Sequence, residues 1–294
     1  MPRNPDAPLA QNRRRALART ATAAVAILIA FAAGPQAIVA QEAEDSSGPV
    51  HPTAAGAPFF PSPARTHAVM ERADLLVALD QLALAEDALA ERRVDGDTAR
   101  IIASQTAALE RDLDALAPTL ELLAEETAEF GIAVGAFPLD ELRKPFRNDW
   151  GEPRSGGRRH QGNDMLAQMG VPLRAIEDGV FERSTNGSLG GLSVYLLGDS
   201  GARYYYAHLD TVADLVEGQR VYAGQLIGTN GDSGNATGSP HLHLQIAPDG
   251  ETGWENPFPL MDVLFGPQPE VSDEPAGPQF GPAPTSYDLL FDRD

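Results

Sequence analysis

The stretch SPHLHLQIA, residues 239–247, carries two histidines one residue apart within an apolar run. Side chains alternate between the two faces of a β-strand, so a strand here places His241 and His243 on one face and the leucines and isoleucine on the other. The apolar face predicts contact with a buried core. The paired imidazoles predict a shared cavity or groove and indicate a metal site, whereas a single buried histidine is usually a hydrogen-bonded core residue.

Other short apolar segments, bounded by Gly, Asn, Asp and Ser, precede this strand. They are GVFERS at 179–184, GLSVYLLG at 191–198, ARYYYAHL at 202–209 and QLIGTN at 225–230. Many short strands at close spacing predict an antiparallel β domain over about residues 149–265. In the third segment, alternation places Tyr204, Tyr206 and His208 on one face and Tyr205 on the other. One of Tyr204 and Tyr206 is then expected to line the groove, although tyrosines are also good core residues.

Residues 64–130 have a different composition, rich in Ala, Leu, Glu and Arg and nearly free of Gly and β-branched residues. Leucines recur at spacings of three and four on both sides of a VDGDT turn, which predicts an antiparallel helical hairpin or coiled coil. Pro118 is expected to kink or split the second helix. The hairpin would serve as a packing element or as a docking arm for a protein partner, and residues 131–148 would connect it to the β domain.

The two ends of the chain carry different signals. Three arginines at 13–15, an apolar run at 21–33 and small residues ending at Ala40 predict a secretory signal peptide over residues 1–40. If this segment stayed uncleaved, it would anchor the chain in the inner membrane. Residues 41–63 have the composition of a flexible linker, and residues 266–294 that of a disordered, acidic, Pro/Gly-rich tail. The chain is therefore expected to be exported.

Composition restricts the chemistry and the partners. The 294 residues include no cysteine, which excludes disulfides and thiolate–zinc sites. The formal net charge of −20 argues against a nucleic-acid partner, because phosphate binding needs clustered Lys and Arg.

Further histidines fall in distinctive settings within the predicted β domain. HQGND, residues 160–164, supplies a histidine and an aspartate on either side of Gly162, and His208 ends the tyrosine-rich strand. Two histidines and one carboxylate, with one position left open, are typical of a catalytic zinc site. The same donors also form the facial triad of iron oxygenases, so iron is the alternative metal.

Three of these segments, HQGND, YYYAHL and SPHLHLQI, resemble the HxxxD, YAHL-like and HxH signatures of the lysostaphin/LytM-type zinc metallopeptidases, which are peptidoglycan endopeptidases. The resemblance is in the right order and covers the whole β domain. It implies a LytM-like fold of antiparallel sheets and one Zn²⁺ ion bound by His160, Asp164 and His243. It also implies that His208 and His241 are the catalytic histidines. Asn163 departs from the family pattern, which usually has an aliphatic residue before the aspartate ligand.

The sequence therefore predicts a multi-domain α plus β protein with a mainly β catalytic domain behind a helical hairpin. The resemblance implies a zinc endopeptidase that hydrolyses peptide cross-links of peptidoglycan in the periplasm or cell envelope of a bacterium. The alternative is a non-enzymatic activator or scaffold of cell-wall amidases, acting through the hairpin and the LytM-like domain. The filled set of five chemical positions argues against a purely regulatory role.

Overall fold

The computed structural model describes residues 58–90, 96–251 and 253–266. The predicted signal peptide, residues 41–57 of the predicted linker and residues 267–294 of the predicted tail lie outside these residues. Within the described part, no helix combines the length and the apolarity that crossing a bilayer would need.

Two long helices precede the β domain, as the sequence predicts. Helix α1 spans Pro63–Ala90 and helix α2 spans Gly96–Thr127, followed by a short 3-10 turn at Ala128–Phe130. Helix α2 continues through Pro118, so the expected split does not occur. The described chain forms two compact units, and the division falls within the helices. Residues 75–90 and 96–115 belong to one unit, whereas residues 58–74, 116–251 and 253–266 belong to the other.

The first turns of α1 belong to the same unit as the sheet. Val69 is buried in a small apolar cluster with Leu123, Ala136 and Ala223. Arg72 donates two hydrogen bonds to the carboxylate of Asp178, at 2.8 and 2.6 Å. Apolar packing and a bidentate ion pair therefore hold the start of α1 against the residues that precede β3.

The β domain is an eight-stranded antiparallel sheet, which confirms the predicted fold class. Its strands are β1 (Asn163–Met165), β2 (Pro172–Arg174), β3 (Gly179–Gly187), β4 (Gly191–Gly198), β5 (Arg203–Val212), β6 (Arg220–Val221), β7 (Leu226–Asn230) and β8 (Leu242–Ala247). The main path runs β1-β8-β5-β4-β3-β6, and β7 pairs with both β2 and β5. Each of the strand segments predicted from the sequence contributes a strand of this sheet.

One face of the sheet forms the core of this unit. The leucines of β8, Leu242 and Leu244, are fully buried, as their alternation with the histidines predicts. Helix α3 (Phe258–Phe265) adds Leu260, Met261 and Leu264 to the same cluster. The opposite face of β8 and its neighbours is therefore the one available for polar chemistry.

The two tyrosines expected to supply a groove-lining residue both lie in the core. Tyr204 and Tyr206 are almost completely buried. The hydroxyl of Tyr204 donates to Glu177 Oε1 at 2.6 Å, and the hydroxyl of Tyr206 accepts a hydrogen bond from the backbone N–H of Ile176 at 3.0 Å. Because both phenols have polar partners inside the core, burial satisfies their hydroxyls. Tyr205 instead lies on the histidine side of the sheet.

Candidate metal centre and active site

The register between β1 and β8 brings an aspartate and a histidine together. Asp164 pairs directly with His243, so both side chains lie on the same face of the sheet. His160 comes from the loop that precedes β1. Asp164 Oδ1 lies 3.0 Å from His160 Nε2 and 2.8 Å from His243 Nδ1, and the two ring nitrogens are 2.9 Å apart.

These three atoms fit a single metal ion. Zinc bonds of about 2.0–2.1 Å at tetrahedral angles place neighbouring donor atoms about 3.3 Å apart. The observed triangle is slightly tighter and needs only a small expansion to accommodate an ion. No other group of three such donors in the described ranges converges in this way. The donor set, two imidazoles and one carboxylate, suits zinc and leaves a position for another ligand.

Hydrogen bonding sets the charges of this cluster. Burial opposes ionisation of His160, but hydrogen bonds to the carboxylates of Asp149 and Asp164 outweigh it and raise the pKa of His160 to about 9. Burial also opposes ionisation of Asp164, yet hydrogen bonds from His160 and His243 hold the pKa of that carboxyl far below its usual range. Burial lowers the pKa of His243. Asp164 is therefore a carboxylate at any physiological pH, which is the form that binds a metal.

Two residues that the sequence did not single out surround the three donors. Asp149, only 6% exposed, accepts a hydrogen bond from His160 Nδ1 through its backbone oxygen at 3.0 Å, and its carboxylate Oδ2 lies 3.3 Å from the same nitrogen. Arg154 Nη2 lies 2.5 Å from Asp164 Oδ2. Both lie in the loop before His160, where no alternation or heptad marks a residue. Their order in the chain, an acid and a base shortly before HQGND, was the one signal available.

Asn163, where the resemblance leads one to expect an aliphatic residue, is fully buried beside this network. Its Nδ2 group donates to the backbone oxygen of Arg147 and to Asp149 Oδ1, both at 2.7 Å. Its Oδ1 atom has no hydrogen-bond partner. Asparagine at this position therefore leaves the three donor residues in place and adds a hydrogen bond to Asp149.

The other two histidines face the same space. The rings of His208 and His241 lie 4.7 Å apart between centroids, and His208 lies 6.0 Å from the ring of His243. His208 Nδ1 is 2.8 Å from the backbone oxygen of Ser233, and His241 Nδ1 is 2.6 Å from that of Ser239. A carbonyl oxygen can only accept, so each Nδ1 carries a proton, and Nε2 is the ring nitrogen that remains for proton exchange. His241 Nε2 lies 3.7 Å from Asp164 Oδ1.

The backbone at His208 explains why its ring departs from simple alternation. With φ of +67°, His208 is the one non-glycine residue with positive φ in the described part of the chain. The pairing of β5 with β4 and with β7 also shifts register close to this position. The irregularity turns the ring away from the core side of Tyr204 and Tyr206 and towards the side of Tyr205. Burial lowers the pKa of His208 to about 4, so its ring is neutral near pH 7.

The face beside the cluster is aromatic. The ring centroid of Tyr205 lies 6.4 Å from that of His243 and 6.2 Å from that of Trp254. The ring of Tyr195 also lies 4.7 Å from that of Tyr205, at an interplanar angle of 39°. Of the three consecutive tyrosines, Tyr205 is therefore the one that borders the histidines.

Comparison with known proteins identifies the domain that carries this cluster. Residues 158–253 match the sequence profile of peptidase family M23. The chain is 36% identical over 138 residues to the L-Ala--D-Glu endopeptidase of Bacillus subtilis. This match covers 43% of this chain and 42% of that protein. It is 40% identical over 92 residues to the peptidoglycan DD-endopeptidase ShyC of Vibrio cholerae, covering 31% of this chain and 21% of that protein.

A solved structure also matches. The catalytic domain of lysostaphin from Staphylococcus simulans aligns with 40% of this chain and 91% of that domain, at 29% identity and a TM-score of 0.37. The chain spans less than half the length of the two relatives named above. The sequence match of residues 158–253 to peptidase family M23 confirms the family resemblance drawn from the histidine segments.

Proposed function

Starting from this M23 domain, we propose that the chain is a zinc-dependent endopeptidase that hydrolyses peptide cross-links of bacterial peptidoglycan. The observation that carries the proposal is the convergence of His160 Nε2, Asp164 Oδ1 and His243 Nδ1 within 3.0 Å of one another. The M23 family typically depends on zinc, and the two named relatives are both endopeptidases, one of them specifically of peptidoglycan. Their names specify different bonds, so the proposal extends to the substrate class and not to one bond.

His160, Asp164 and His243 would hold one zinc ion. When bound, zinc supplies a Lewis acid and lowers the pKa of water towards about 7. The chain supplies the proton acceptors. His241 Nε2, which lies 3.7 Å from Asp164 Oδ1, is positioned to take the proton of the attacking water as its oxygen bonds to the scissile carbonyl carbon.

Proton return completes the reaction. When the C–N bond breaks, the leaving amine must gain a proton, and an imidazole that has accepted one at Nε2 can donate it. The hydrogen bond from His208 Nδ1 to Ser233 fixes the tautomer, so neutral His208 is an acceptor and can donate from Nε2 only after it has been protonated. We therefore assign both His208 and His241 to proton transfer.

The proposal includes a location and an alternative role. Residues 1–40 would export the chain, and the domain would act in the periplasm or at the cell envelope, where its substrate is found. The helices would act as a spacer or would contact a protein partner. The non-enzymatic alternative, activation of a separate amidase, predicts zinc binding without any release of peptide.

The test is incubation of the zinc-loaded full chain with purified peptidoglycan, followed by mass analysis of the released fragments. We expect fragments from peptide cross-links in the wild type and their loss in H208A and H241A, both of which should still bind zinc. His67, which lies exposed on α1, provides the matched control: H67A should keep full activity. Zinc binding without fragments from the wild type would favour the activator role, and hydrolysis by H208A or H241A would refute their catalytic assignment. Metal analysis of gently purified protein distinguishes zinc from iron.

A further inference from the structure

We propose that Arg154 is a positioning residue that occupies the outer oxygen of Asp164, so that Asp164 binds the metal through Oδ1 alone. This inference rests on the proposed zinc site. The two oxygens of Asp164 have different partners: Oδ1 faces His160 and His243, whereas Oδ2 lies 2.5 Å from Arg154 Nη2. A carboxylate with both oxygens free could bind the metal through either or both of them.

The loop before His160 fixes the position of Arg154. The backbone N–H of Arg154 donates to the oxygen of Arg158 at 2.9 Å, which closes a tight turn through residues 155–157. Gly156 and Gly157 both have positive φ in that turn. The guanidinium is thereby aimed back at the start of β1.

Asp149 ties the same guanidinium to the other ligands. Its Oδ2 atom lies 3.4 Å from Arg154 Nη2 and 3.3 Å from His160 Nδ1. Its Oδ1 atom accepts hydrogen bonds from Asn163 Nδ2 at 2.7 Å and from the backbone N–H of Asp164 at 3.3 Å. One buried carboxylate therefore connects Arg154 to two of the three proposed ligands, and outer contacts of this kind orient metal ligands in general.

Charge and geometry predict opposite effects for Arg154. A guanidinium beside a divalent cation repels it, so a residue that acted through its charge alone would weaken metal binding, and its removal would strengthen it. A residue that acts by holding Asp164 in the binding orientation does the reverse. The sign of the change in zinc affinity therefore decides between the two roles.

The experiment compares R154M, R154K and the matched control R158M in the full chain. Arg158 is an exposed arginine of the same loop, and among the described residues its side chain donates hydrogen bonds to Ser155 alone. Zinc affinity is measured by competition with a chelator. We expect R154M to bind zinc about 10- to 100-fold more weakly, as is usual for outer contacts of metal ligands. R154K should recover part of the loss because it can still reach Oδ2, and R158M should match the wild type.

A spectroscopic measurement tests the orientation itself. In the Co²⁺-loaded protein, release of Oδ2 should raise the coordination number and weaken the visible absorption of R154M relative to R154K and the wild type. Unchanged or tighter zinc binding by folded R154M, with an unchanged Co²⁺ spectrum, would overturn the inference. If R154M fails to fold, the same comparison between R154K and R158M decides it: equal affinities would overturn the positioning role. A wild type that binds neither metal would instead overturn the proposed function.

Discussion

Two substitutions of His208, to Gly and to Ala, test how the backbone turns this ring towards the metal cluster. At φ of +67° the residue lies in the left-handed region, where a Cβ atom costs roughly 1–2 kcal/mol. Both variants lose the ring and its hydrogen bond to Ser233, so they differ from each other only by one methyl group. The difference between their unfolding free energies therefore reports the cost of the left-handed backbone, reduced by the greater conformational entropy that glycine loses on folding.

The expected magnitude follows from two opposing effects. Glycine loses more conformational entropy on folding than alanine does. This loss costs about 0.5–1 kcal/mol and favours Ala at an ordinary strand position. At position 208 the relief of roughly 1–2 kcal/mol of backbone strain outweighs this cost. We expect H208G to be more stable than H208A by about 0.5–1 kcal/mol, and both to be inactive.

Urea unfolding followed by tryptophan fluorescence measures this difference. The chain has two tryptophans, Trp150 and Trp254, and both belong to the unit that contains the sheet. Ala207, the preceding residue of β5, provides the control: A207G should lose at least 0.5–1 kcal/mol, because φ there is not positive. If H208A proved as stable as H208G or more so, the left-handed backbone could not be what directs the ring into the site.

Three further substitutions test other parts of the same unit. Tyr206→Phe leaves the buried N–H of Ile176 without its acceptor, so the unfolding free energy should fall by about 1–3 kcal/mol in urea titration. Burial raises the pKa of Glu177 above its usual 4.5, so its ionisation costs stability as pH rises through that value. The unfolding free energy of the wild type, relative to that of Glu177→Gln, should therefore decrease between pH 4 and pH 7. Each unit by which folding raises the pKa of Glu177 contributes about 1.4 kcal/mol to this decrease. A difference that does not change with pH would contradict the assignment. Gly162→Ala places a Cβ atom 2.7 Å from Cε1 of His243, so chelator competition should detect weaker zinc binding, whereas a wild-type affinity would mean that this close approach does not matter.

The sequence predicted part of the donor cluster from local patterns, whereas the choice of His160, Asp164 and His243 as ligands came from the family resemblance and stays a prediction. The alternation in β8 predicted which side His243 faces, and the short spacing of His160 and Asp164 predicted that these two residues lie close together. Both predictions depend only on the period of a strand and on a short turn. The expectation for Tyr204 and Tyr206 left core and groove open, and the structure assigns both to the core. Alternation did not predict that His208 leaves their face, because this depends on its positive φ and on register shifts in the pairing of β5 with β4 and β7.

Asp149 and Arg154 were missed for a related reason, and their position suggests what they contribute. The three proposed ligands come from a loop, from an edge strand of three residues and from a strand about eighty residues later, so the unfolded chain holds no preformed site. Part of the free energy of metal binding is then needed to order these segments, unless other contacts already hold them together. Asp149 contacts the loop ligand, the strand ligand and the arginine at once, which orders two of the three segments in the absence of metal. Residues with that task need to be close in space and not periodic in sequence, so a search for metal-binding motifs finds the ligands and overlooks the residues that hold them.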